Sequence, residues 1–124
     1  MADFLRDLLT AEDHAAPYVW AAVALAHAMI GACLMTCAAL LASLVLSDAV
    51  LGLALVAVGY SIWELLQAVA GGPPLDGLLD WLCVMLGAAM VAAVWERRVA
   101  SGAASVIGLW AVVAAGVRQR IGGR

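Results

Sequence analysis

From Ala15 to Val117, 103 consecutive residues, the chain carries seven formally charged side chains: Asp48, Glu64, Asp76, Asp80, Glu96, Arg97 and Arg98. A water-soluble domain cannot be built on so little charge. Of the 124 residues, 67% are hydrophobic and 12% charged, where about half and a quarter are usual in soluble proteins. Apolar runs of about 20 residues cross a bilayer as helices. In hydrocarbon an ionisable side chain costs several kcal/mol unless it finds a partner or water. The few charges that interrupt the runs therefore carry most of the information.

Asp48, Asp76 and the trio Glu96-Arg97-Arg98 lie at breaks between runs, whereas Glu64 and Asp80 do not. Spans are expected at about 17–46, 49–70, 75–95 and 99–117, each near or above the length a bilayer needs. Ser47-Asp48 makes the first break, and Gly71-Gly72-Pro73-Pro74 is a strong helix terminator. Trp81 and Trp95 stand 14 positions apart, about 21 Å of helix, which suits two interfacial belts. Residues 1–14 form a polar leader. Its residues 2–13 pattern as a short amphipathic helix with Phe4, Leu5, Leu8 and Leu9 on one face, suited to the membrane interface. Residues 118–124 are a basic tail. The expected fold is a single all-α domain, a polytopic transmembrane helical bundle.

The last run is ambiguous. Its 19 uncharged residues are enough to span, but they are rich in Gly, Ala and Ser and hold Trp110 in the middle. Hydropathy favours four spans. Arg6, Arg118, Arg120 and Arg124 then oppose Arg97 and Arg98, and both termini are cytoplasmic. Charge favours three spans, with five of the six arginines on one side.

Other classes are excluded. No basic patch is interleaved with aromatics, so nucleic acid is not an expected partner. Asp3 and Asp7 stand where a cleavable signal would be basic. Cys33, Cys37 and Cys83 make neither a CxxC pair nor a Cys/His zinc pattern and read as small apolar residues. No metal, cofactor or catalytic group is expected: there is no nucleophile–base spacing and no phosphate-binding loop, so an enzyme is not expected.

The candidate site is an intramembrane polar cluster of His27, Tyr60, Glu64, Gln67, Asp76 and Asp80. Tyr60, Glu64 and Gln67 recur at i, i+4, i+7 and share a helix face; Asp76, Asp80, Cys83 and Gly87 form a second stripe. His27 lies on a face with Trp20, Ala24 and Gly31. Glu64 and Asp80 each fall about 9 Å from the Gly-Gly-Pro-Pro turn, and His27 about 15 Å below the same surface. Two readings follow. In one, the groups form a polar cavity or proton-accepting cluster, with His27 paired to a carboxylate or one carboxyl kept protonated. In the other, Glu64 and Asp80 reach headgroup water and His27 is neutral, bonded to a backbone carbonyl. Small residues at Ala24, Ala28, Ala32, Gly87, Ala88, Ala92 and Gly108 are candidate helix-packing positions, within the chain or between copies of it.

Trp63-Glu64 on one span with Asp80 on the next resembles the pattern of VanZ-like and YjdF-like membrane proteins, over about residues 60 to 90. Those families carry a further acidic residue shortly after the Trp-Glu, where this chain has Gln67. The resemblance implies a shared architecture and a polar site handling a lipid or a proton. By size, small-residue helices and a basic tail, the chain also resembles the holins of phages and prophages. That implies a multi-pass protein of the bacterial inner membrane that forms homo-oligomers and lesions during phage-type host lysis. A non-catalytic subunit of a larger membrane complex is the third expectation.

Overall fold

The computed structural model describes residues 16–43 and 49–122, which form four long helices: α1 (Pro17–Ser43), α2 (Ala49–Val69), α3 (Pro74–Trp95) and α4 (Val99–Gly122). All four are long and apolar enough to cross a membrane. The leader and the break at Ser47-Asp48 lie outside the described residues. α4 is a continuous helix of 24 residues, long and apolar enough to cross, which favours four spans. Both ends of the bundle follow from that: the start of α1, the α2–α3 turn and the end of α4 share one face, here the terminal side.

The two described turns close in the same way. At the end of α2, the Gly72 N–H donates to the Gln67 carbonyl at 2.9 Å and the Gly71 N–H to Ala68 at 3.1 Å, with Gly71 at φ +100. At the end of α3, the Arg98 N–H donates to Ala93 at 2.7 Å and the Arg97 N–H to Val94 at 3.1 Å, with Arg97 at φ +57. Both are Schellman closures, which need one residue in the left-handed region. Glycine fills that position in the first turn and arginine in the second. Pro74 then opens α3 at a position where a missing N–H costs nothing, and Asp76 in the first turn complements the helix dipole.

α1 and α3 form the central pair, and α2 and α4 pack on opposite sides of it, each against both. Along α1 the buried residues are Trp20, Ala24, Ala28, Gly31, Met35 and Ala39. The small-residue ladder thus leaves the expected Ala32, which is half-buried, and passes through Gly31. At 3.6 residues per turn, successive four-residue steps drift around the helix, and one three-residue step brings the seam back. α4 does the same with Ser105, Leu109, Val113 and Gly116.

The α1–α3 crossing is close enough to exclude side chains. A Cβ on Gly31 would overlap the Val84 carbonyl, and a Cβ on Gly87 would overlap that of Ala28. Backbone-to-backbone contact of this kind supplies dispersion where lipid offers no hydrophobic drive for helices to associate. Met35, Val56, Tyr60, Val84, Ala88 and Ala92 fill the α2 side of the seam. Ala24, Ala28, Cys83, Leu109 and Val113 fill the α4 side. Outward faces carry Leu55, Val58, Leu65, Ile107 and Trp110 in exposed positions. Four apolar spans with such outer faces meet the bilayer directly. The protein is a multi-pass membrane protein.

Candidate intramembrane polar site

His27, Tyr60, Glu64 and Asp80 come from three helices and meet between α1, α2 and α3. Helical periodicity puts Tyr60 and Glu64 one turn apart on the inner face of α2. The close α1–α3 crossing brings His27 to Asp80, with Nδ1 and Oδ1 3.5 Å apart and the two side chains 20% and 17% exposed. The same Nδ1 lies 2.9 Å from the Val23 carbonyl oxygen. Two acceptors facing one ring nitrogen require that nitrogen to carry the hydrogen, which fixes the tautomer. The Tyr60 ring is buried and stands edge-on to His27, centroids 6.4 Å apart at 80°.

Glu64 is the outlier. Both carboxyl oxygens are shielded from solvent, and neither makes a hydrogen bond. Tyr60, one turn earlier on the same helix, is the phenol beside it. The carboxyl rests in a notch on the first turn of α3, where a Cβ on Gly77 would come within 2.5 Å of Oε2. The Glu64 carboxyl therefore faces α3 within the bundle. His27 combines the two sequence-based alternatives, since it takes both the backbone carbonyl and the carboxylate.

The remaining members sit around this centre. Asp76 is half-buried in the first turn of α3, and Gln67 is half-buried and engaged in an interaction of its own. Of the packing candidates, Ala24, Ala28, Gly87, Ala88 and Ala92 are buried along the seam. Gly108 is half-buried on α4, where a Cβ would meet the end of the Leu86 side chain at 3.2 Å. Among the described residues no group of three or more His, Cys, Asp or Glu is arranged to hold a metal ion.

Three contributors escaped the sequence pattern. Gly77 makes the Glu64 notch. Ser61 accepts a 3.1 Å hydrogen bond from the Trp81 indole, tying α2 to α3 beside the site. Gly116 receives the Trp20 ring, over which the Arg120 guanidinium stacks at 4.1 Å while donating to the Gly116 carbonyl at 3.2 Å. Only Gly77 left a signal, as a glycine one turn into a span beginning Pro-Pro, and that signal does not name its partner.

Fold and site together define a small four-span membrane protein with a half-buried His–Asp–Glu–Tyr cluster toward its terminal side. No protein-family model, curated protein or solved structure matches the chain.

Proposed function

We propose that this chain is a small integral protein of the bacterial inner membrane that takes up and releases protons at a fixed polar site open toward the terminal side. The supporting observation is the convergence of His27, Tyr60, Glu64 and Asp80 inside one chain. Two carboxyl groups and an imidazole favour a proton or another cation over a lipid phosphate, which the carboxylates repel. No enzymatic step is assigned to it.

The test is proton counting. The protein in nanodiscs is titrated between about pH 5 and 8, the range in which an unperturbed imidazole changes charge. The wild type should bind more protons over that range than the Glu64→Gln, Asp80→Asn double variant. Equal uptake by the two, with both folded by tryptophan fluorescence, would overturn the reading.

The holin-like reading is favoured by the small size and the apolar outer faces. It requires copies of the chain to assemble with Glu64, Asp80 and His27 facing water in a lesion. Enclosure of those groups among α1, α2 and α3 favours the fixed site. Expression in a bacterium with and without a cytoplasmic endolysin separates the two. Abrupt lysis only with the endolysin supports the lesion; continued growth with a normal membrane potential supports the fixed site.

A further inference from the structure

We infer that Glu64 is the residue that holds the proton: a neutral carboxylic acid seated in the Gly77 notch, beside the His27–Asp80 pair. The inference rests on the proposed proton site and names its occupant.

Charge balance carries the first half of the argument. Among the described residues, the ionisable groups that act on Glu64 are Tyr60 on its own helix, Asp80 on α3 and His27 on α1. Cys83, also on α3, faces Tyr60 and Asp80. α4 lies beyond the α1–α3 pair, and its Arg120 is stacked on Trp20. His27 is the one basic side chain among them, and geometry assigns it to Asp80. The second carboxyl is left with no cation.

Burial carries the other half. A carboxylate whose two oxygens are shut off from solvent is costly to place in an apolar bundle, and a proton removes much of that cost. The notch makes the arrangement specific. At Gly77, on the first turn of α3, Oε2 comes so close that a side chain would displace it. The carboxyl lies between the interface and the seam, so its proton exchanges with the terminal side; beyond it toward the far side lie Val56, Met35 and Ala92.

Infrared difference spectroscopy of the protein in nanodiscs at neutral pH reads the neutral acid directly. The wild type should show the carbonyl-stretch band of a protonated carboxyl, shifted on exchange into D2O. The band should vanish in Glu64→Gln and persist in Asp80→Asn and Asp76→Asn. Gly77→Ala keeps the carboxyl but moves Oε2, so its band should shift in frequency. A band that survives Glu64→Gln, or a folded wild type without one, overturns the assignment. Proton uptake without a Glu64 band would sink this inference and leave the polar site standing. A Glu64 band without pH-dependent uptake would do the reverse.

Discussion

The α1–α3 crossing makes a quantitative prediction. Replacing Gly87 with Ala places a Cβ 2.7 Å from the Ala28 carbonyl carbon and 2.9 Å from its Cα, where ordinary contact begins at 3.4 Å. The obstacle is backbone, so it cannot turn aside, and the helices must part by about 1 Å or more, since the carbonyl oxygen lies closer still. A gap of about 0.5–1 Å forfeits a quarter to a half of the dispersion energy of every contact it opens. The expected loss is about 1–3 kcal/mol, the range for overpacking a close-fitting core. Gly31→Ala meets the Val84 backbone at the same distances, so it should cost a similar amount alone. The double variant should cost less than the sum by about 1 kcal/mol, because one separation relieves both clashes. Gly59→Ala is the control. Nothing lies within 4 Å of that Cβ, so the change should stabilise the helix by about 0.5–1 kcal/mol. Unfolding in mixed micelles by added SDS, followed through the five tryptophans, gives each value. Strict additivity of Gly31→Ala and Gly87→Ala, or a Gly87→Ala no worse than Gly59→Ala, would refute the reciprocal contact.

Three further outcomes are expected. Arg120→Gln removes the guanidinium from the Trp20 ring and should cost about 0.5–2 kcal/mol by the same unfolding assay, with a change in tryptophan emission. Arg97→Gly should stabilise the α3–α4 turn by about 1–2 kcal/mol, since the left-handed position carries no penalty for glycine; a loss instead would show that the arginine side chain anchors the turn. Fusions to alkaline phosphatase, active only outside the cytoplasm, should be silent at the C-terminus and active after Arg98, with the C-terminal arginines held inside.

Most helix boundaries were legible because charge is so scarce, whereas hydropathy and charge disagreed on whether the last run spans. Gly71-Gly72 announces a Schellman turn, and the structure closes α2 in that way. The same closure after α3 was not legible, because its left-handed position is filled by Arg97 and a propensity argument asks for glycine. The stripes holding Tyr60, Glu64 and Asp80 follow from single-helix periodicity. Their convergence does not, since it depends on how α1 crosses α3. The i, i+4 ladder of small residues gave the seam of α1 as far as Ala28 and then pointed to Ala32, because the helical period is not four. Gly77, Ser61 and Gly116 act only through a partner on another helix, and no pattern within their own helix identifies that partner.

The tight seam and the polar site are one construction. Gly31 lies one turn after His27, and Gly87 two turns after Asp80. The backbone approach those glycines allow is what brings an imidazole on α1 within 3.5 Å of a carboxylate on α3. Parting the helices at Gly87 should therefore loosen the His27–Asp80 pair and change proton uptake before the protein unfolds. This bears on the lysis reading as well. Small-residue ladders promote assembly between chains when they face outward, but Ala24, Ala28, Gly31, Gly87 and Ala88 are spent within this one. An oligomer would have to form on other surfaces, such as the outer face of α4, where Ala104, Ala111 and Ala115 are exposed. Such an assembly would leave the His27–Asp80 pair and the Glu64 notch intact.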